Sequence, residues 1–426
     1  MTDTTAHLDA IRTHIAAYCD SQFDTAFDPD NPIVRLHEPT FGADEIFAAT
    51  ETLLSTWVTM GRQVRTFEAA FAGAHDFAEG VMNNSGSSAN LLAIAALANP
   101  ATQDGLKPGD EVIVSALSWS TTVWPLIQLG LVPVIVDIDS DTLNIDPGEI
   151  ERAIGPKTRA IMPVHVYGNP CDMDALGDIC HRHDLALIED CCEALGASYK
   201  GTPVGGFGRV ATFSFYFSHH MTTIEGGICT TNDPALAEMV RILRSHGWTR
   251  DTKDPGPLNA TYPDIDPRFL FVNLGYNLRP TEMQAAMGLI QLPNLAGYVE
   301  ARRANAAYWT EALAGHASVL GLQRETEGGY HSWFGFPMAI AADAPFRTAA
   351  LRAYLEDAGI ETRPIICGNI AKQPGLQANP HRTVGDLSKA SHVMSHAISF
   401  GCHQAIDDAA RAYVADRILA FLGTNQ

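Results

Sequence analysis

The chain has 426 residues, 46% hydrophobic and 18% charged, enough for a sizeable buried core divided between one large and one smaller domain. Its 49 Asp and Glu against 28 Lys and Arg give a formal net charge of -21, which repels phosphate backbones and excludes a non-specific nucleic-acid binder. No apolar stretch reaches the roughly 18 residues that span a bilayer, and MTDTTAHLDAIRTH lacks the basic flank and apolar core of a secretion signal, so a cytoplasmic protein with no membrane partner is expected.

Residues 1–60 read as leading helices that pack on a large domain. From 61 to 290, short apolar strands (EVIVSAL, PVIVDID, RAIMPVH, LALIED, VATFSFY and GGICTTN) alternate with helical patterns such as ANLLAIAALA and MDALGDICHRH. Strands this continuously apolar are covered on both faces, which predicts an α/β domain with a mostly parallel sheet. Pro, Gly and Asp crowd 251–267, expected to be a long surface loop, as a lid or an oligomer contact. A helical pattern over 280–313, opening at PTEMQAAMG and interrupted near Pro293, bridges to a smaller α+β domain within 291–426.

Several stretches carry groups suited to chemistry, each with a plainer alternative. In NNSGSSANLLAIAAL, 83–97, a hydroxyl-rich turn enters a helix; its free N–H groups could hold an anion, or Ser85 could simply cap the helix. LALIED delivers Glu189 and Asp190 at a strand's carboxyl end, where open α/β sheets bind ligands, although a helix cap or buried ion pair would look the same. Trp119, just past EVIVSAL, is either a stacking platform or a core residue. SFYFSHHMTTIEGG presents His219 and His220, which are candidate proton carriers or ordinary loop residues. Asn277 and Arg279, on a turn before a helix, could bind an anionic group or be surface residues. The eight cysteines form no disulfide framework, and neither Cys191–Cys192 nor the histidine pair has zinc-ligand spacing, so no metal is expected.

Taken together, GRQVRTFEAAFA, SGSSAN, the Trp119 segment, VHVYGNPCDMDAL, LIEDCCEALGA, SFYFSHHMTTIEGG, GYNLRPTEMQAAMGL, GIETRPIICGN and FGCHQ resemble one family in order and spacing. It is the DegT/DnrJ/EryC1/StrS family of pyridoxal-phosphate enzymes of nucleotide-sugar biosynthesis, and the resemblance runs from about Gly61 to Gln404. It implies the aspartate aminotransferase-like fold type I. In the family's aminotransferases the cofactor lysine follows a serine in an S-F-x-x-x-K pattern; here the register set by Ser214 places His219 at the lysine position.

The resemblance is therefore to the lysine-less 3-dehydratase branch, of the kind found in colitose biosynthesis. Such enzymes remove the C3 hydroxyl of a nucleotide-linked 4-keto-6-deoxy sugar, taking the amino group of pyridoxamine phosphate from L-glutamate and releasing ammonia. A lysine amine would release an aminosugar, whereas an imidazole moves a proton without capturing the cofactor. The resemblance implies His219 as the base, Gly86 and Ser87 as the phosphate-binding turn, Ser214 on the same phosphate, Asp190 at the pyridine nitrogen and Trp119 against the ring. Asn277 matches a residue lent by a neighbouring subunit, implying a homodimer with composite sites.

Glu193 stands where the aminotransferases often carry Gln or His, Ile224 replaces a Gly before E-G-G, and His220 has packing or hydrogen bonding as its default role. One kind within the branch holds a 2Fe-2S cluster on four cysteines and needs a reductase. Cys192 matches its first ligand, but 230–366 contains no cysteine, so no iron-sulfur cluster is expected. The alternatives are a lysine-less deoxygenase served by an electron donor, a nucleotide-sugar aminotransferase relative, or a silent ligand-binding or regulatory homologue. Against the last stand the intact Asp190, SGSSAN and histidine. No motif specifies GDP, CDP or dTDP.

Overall fold

A computed structural model describes residues 4–23 and 26–424. The first part of the chain contributes β1 (Glu79–Asn83), β2 (Glu111–Ser115), β3 (Val132–Val136), β4 (Thr158–Met162), β5 (Ala186–Asp190), β6 (Ser198–Tyr199), β7 (Thr202–Pro203), β8 (Val210–Ser214) and β9 (Gly227–Thr231). Beyond it lie β10 (Leu320–Leu322), β11 (Gly329–Tyr330), β12 (Gly335–Ile340), β13 (Thr362–Arg363), β14 (Arg382–Thr383) and β15 (Ala397–Gly401).

The main sheet runs β1-β9-β8-β5-β4-β2-β3-β14. All of its pairings are parallel except those of β9, which runs antiparallel to both β1 and β8. The near-continuous apolar strands follow from burial on both faces: in β8 and β9 every residue is buried. The helix Gly86–Leu97 lies on β8 and β9 beneath the helices Ser120–Gln128 and Pro234–Arg244. Nine of its twelve residues are buried, and it carries no charged stripe. β5 and β8 are parallel neighbours, so their carboxyl ends carry Asp190 and Ser214 to the same edge of the sheet.

The helical run expected over 280–313 consists of the helices Glu282–Gln291 and Leu295–Leu313, joined by the 3-10 turn Leu292–Asn294. Thr281 starts it with a reciprocal capping box to Gln284. The second sheet, β10-β12-β15-β13, is antiparallel and packs Trp309 edge-on against Phe336 and Phe400 at 5.3 and 4.9 Å. β14 leaves this region to extend the main sheet beside β3. At the other end, the helix Ala43–Leu54 packs on Glu282–Gln291, and Val34 bridges to Ile360. Within 251–267 lies the short helix Gly256–Thr261, and Trp248 stacks on Phe269 and Phe271 beside it. Among the described residues, no helix is long and apolar enough to cross a membrane.

Candidate active site

A cavity of about 510 Å³ opens at the carboxyl ends of β5 and β8. Seven of the residues singled out from sequence line it: Gly86, Ser87, Trp119, Asp190, Glu193, Ser214 and His219.

The Asp190 carboxylate is 3% exposed and held from three sides. Asn90 Nδ2 donates to Oδ2 at 2.9 Å, Thr122 Oγ1 donates to the same oxygen at 2.7 Å, and the Cys192 amide donates to Oδ1 at 3.1 Å. Such a fixed carboxylate facing a cavity suits a protonated ring nitrogen. Glu189 does the opposite work: fully buried, it takes the amides of Gly205, Phe207 and Gly208 at 2.7, 2.8 and 2.6 Å and ties down a turn.

At the start of the helix Gly86–Leu97, cap and cradle coexist. Ser85 Oγ accepts from the Ser88 amide at 3.1 Å, while Gly86 and Ser87 begin the first turn, whose amides have no partner within the helix. A Cβ at Gly86 would lie 2.5 Å from Ser214 Cβ and 3.0 Å from Cys192 Sγ, so only glycine lets the turn close over Ser214. Gly227 serves the same closure, since a Cβ there would lie 2.4 Å from the Ser85 carbonyl oxygen. Hydroxyls, free amides and helix dipole converge there on a place for an anion.

Trp119 is 56% exposed at the cavity rim, which removes the core alternative. His219 Nδ1 lies 2.6 Å from the Cys192 carbonyl oxygen, and its ring packs 4.9 Å from that of Phe334. Burial is the main influence holding the His219 pKa down to about 4, with the cations Arg363 and Arg302 acting in the same direction. Burial pushes the Glu193 carboxyl up to about 7, against the Tyr167 amide that donates to it at 3.0 Å and the charge of Arg363.

Three sequence candidates lie elsewhere. His220 is fully buried with Nε2 3.0 Å from the Ser332 carbonyl oxygen, so it packs behind the site. Asn277 forms a backbone bridge with Ser245, and its side-chain oxygen accepts from Arg279 Nε at 3.1 Å; neither residue lines the cavity of its own chain. The structure adds Asn90 and Thr122, which fix Asp190, and Arg363, whose guanidinium lies 5.2 Å over the Phe334 ring on the cavity wall. Ile224 adopts φ 70° at an exposed position, a left-handed conformation that glycine takes freely.

The sequence profile of the DegT/DnrJ/EryC1/StrS aminotransferase family matches residues 39–419. The chain belongs to this family. Among its relatives, the GDP-4-keto-6-deoxy-D-mannose 3-dehydratase of Yersinia pseudotuberculosis is 40% identical over 373 residues, 87% of this chain and 94% of that one. The dTDP-4-dehydro-2,6-dideoxy-D-glucose 3-dehydratase of Saccharopolyspora spinosa is 36% identical over 427 residues, 97% of this chain and 92% of its own. The family's fold is seen in a crystal structure of a GDP-4-keto-6-deoxymannose-3-dehydratase with a trapped PLP-glutamate geminal diamine. It superposes with a TM-score of 0.83 at 36% identity, covering 90% of this chain and 99% of that one. In the present member the Gly86 cradle, the fixed Asp190 carboxylate and the open Trp119 face fit the phosphate, ring nitrogen and ring of pyridoxal phosphate.

Proposed function

We propose that this protein removes the C3 hydroxyl of a nucleotide-linked 4-keto-6-deoxy sugar, using pyridoxamine phosphate replenished by L-glutamate. One observation carries the assignment: the residue that reaches the cofactor cavity at the lysine position is His219, with Nδ1 engaged by the Cys192 carbonyl. A carbonyl only accepts, so Nδ1 carries the hydrogen and Nε2 keeps its lone pair.

Bound in this cavity, the cofactor in its amine form would supply an electron sink attached to the sugar at C4. The chain's own residues do the rest. Gly86, Ser87 and Ser214 receive the phosphate, Asp190 keeps a proton on the ring nitrogen, and Trp119 covers one face of the ring. His219 Nε2 would take the proton from the C4′ carbon of the cofactor and deliver it to the C3 hydroxyl, which then leaves as water. Burial suits it to both acts: the neutral ring is available at neutral pH, and the protonated ring gives up its proton readily. Arg363 has no acid within ion-pair distance among the described residues and supplies a cation for a glutamate carboxylate.

Two relatives are named for GDP- and dTDP-linked substrates, so the nucleotide is tested directly. GDP-, CDP- and dTDP-4-keto-6-deoxy sugars are offered with glutamate, and the products identified by mass. A 3-deoxy product from at least one supports the assignment; a 4-amino sugar with its C3 hydroxyl intact opposes it. Asn277 and Arg279 are assigned to the neighbouring subunit's site in a homodimer, which also gives a place to the exposed Phe269, Phe271 and Leu274 of the same segment. Mixing an inactive His219→Asn chain with an inactive Asn277→Ala chain then restores part of the activity; separate sites restore none.

A further inference from the structure

A second cavity, about 640 Å³ in volume, shares no residue with the cofactor cavity. It opens where the helix Arg62–Ala74, the end of the helix Pro234–Arg244 and residues 250–253 meet β1, and its size is within the roughly 300–1,000 Å³ of small-molecule sites. Although the chain carries a net charge of -21, the cations Arg65, Arg241, Arg244, Arg250 and Lys253 line this cavity against the carboxylates of Glu68, Glu79 and Asp251.

The three carboxylates are already engaged. Glu79 takes Arg241 Nη2 at 2.7 Å and Lys253 Nζ at 2.5 Å, and Asp251 accepts from Ser245 Oγ at 2.8 Å. Glu68 Oε1 accepts from the Met82 amide at 2.8 Å and from Arg244 Nη1 at 2.6 Å. Cationic donors are left over. Arg65 and Arg250 are exposed with no acid within ion-pair distance among the described residues, and the Arg250 guanidinium rests 5.1 Å over the Trp248 ring. Arg244 is only 2% exposed, and its Nε has no partner among the described residues. A buried charged N–H left open is costly, and an anion seated beside it relieves that cost. Met60, Val64 and Phe77 give the same cavity an apolar wall.

We propose that this cavity is a second ligand site, taking a diphosphate carried on an apolar body, as in a nucleoside diphosphate. Arg65, Arg244 and Arg250 receive the anion, and Met60, Val64 and Phe77 pack on the body. Three cationic groups exceed what a single carboxylate needs and match the two to three charges of a diphosphate. A cluster that served the fold alone would not leave a buried guanidinium N–H open beside two unpaired cations. The site is independent of the reaction assigned to the cofactor cavity.

The test is calorimetric titration of the full chain, saturated with pyridoxal phosphate, with GDP and separately with inorganic pyrophosphate. A binding step for GDP is expected that weakens roughly tenfold or more in Arg65→Glu and in Arg250→Glu, each of which loses a charged hydrogen-bond donor, and that persists in Trp119→Ala, which alters the other cavity. Both arginines are exposed, so the reversals leave the fold intact; Arg65→Gln and Arg250→Gln give the same comparison should a reversal unfold the chain. Pyrophosphate is expected to share this step with weaker affinity. The absence of any step sensitive to Arg65 and Arg250 overturns the proposal, as does a step lost equally in Trp119→Ala. Pyrophosphate binding as tightly as GDP overturns the place given to the apolar wall.

Discussion

His219 Nδ1 and the Cys192 carbonyl oxygen, 2.6 Å apart, fix which face of the imidazole can react. The carbonyl belongs to the residue whose amide donates to Asp190, so one short turn after β5 both steadies Asp190, the proposed ring-nitrogen partner, and orients His219, the proposed base. His219→Asn removes the base while keeping a donor near that carbonyl, and dehydration falls by about 10²- to 10⁴-fold, the usual worth of general base catalysis. His219→Lys loses dehydration and gains transfer of an amino group to the sugar. Steady-state rates and product mass check both variants; undiminished dehydration in either contradicts the role.

Asp190→Asn keeps the shape that Asn90 and Thr122 grip but discards the negative charge. A hydrogen bond to a charged group is worth about 1.5–3 kcal/mol, so pyridoxal phosphate binds roughly 10- to 150-fold more weakly. Absorbance titration with the cofactor measures this. Asn90→Ala weakens binding in the same direction and by less, since Thr122 and the Cys192 amide still hold Asp190.

The positions that were legible in the sequence are those fixed by backbone periodicity. Asp190 and Ser214 end apolar strands, and parallel pairing of β5 with β8 carries both to one edge. Counting five residues from Ser214 reaches His219, whereas His220, its neighbour on the chain, packs behind the site on the Ser332 carbonyl. Asn90 was hidden because it reads as helix interior, although its i,i+4 spacing from Gly86 places it on the same face as the cradle. Thr122 lies beside Trp119 and Arg363 within GIETRPIICGN, but neither stretch shows what its side chain does: one reaches Asp190 across 68 positions, and the other reaches Phe334 only once β13 has joined the second sheet. Trp119 stood undecided between core and platform because its exposure depends on how the chain enters the helix Ser120–Gln128.

Ile224 departs from the glycine that precedes E-G-G and adopts φ 70°. The left-handed conformation costs an L residue about 1–2 kcal/mol, and glycine returns roughly 0.5–1 kcal/mol of that through its more flexible unfolded state. Ile224→Gly therefore stabilises the fold by about 0.5–1 kcal/mol, measured by urea unfolding. A loss of stability would show that its exposed side chain contributes more than the strain.

His403, 3% exposed, is held down to about 3 chiefly by burial and secondarily by Arg302. The unfolded chain protonates this histidine as pH falls through 6.5, while the folded chain resists until about 3. Its contribution to stability is thus intact above pH 6.5 and is lost progressively between 6.5 and 3. His403→Asn flattens the decline of the urea midpoint from pH 7 to pH 5 relative to wild type; an unchanged slope contradicts the assignment.

Dehydration without an external reductant is the claim on which the rest depends. The purified chain is loaded with pyridoxal phosphate, converted with L-glutamate to the amine form as followed by absorbance, and mixed anaerobically with the preferred nucleotide-4-keto-6-deoxy sugar. Equal amounts of 3-deoxy-4-keto product and ammonia are predicted, with one glutamate consumed per turnover and no electron donor present. An aminosugar that retains its C3 hydroxyl, or product that forms only when a reductase is added, would contradict it.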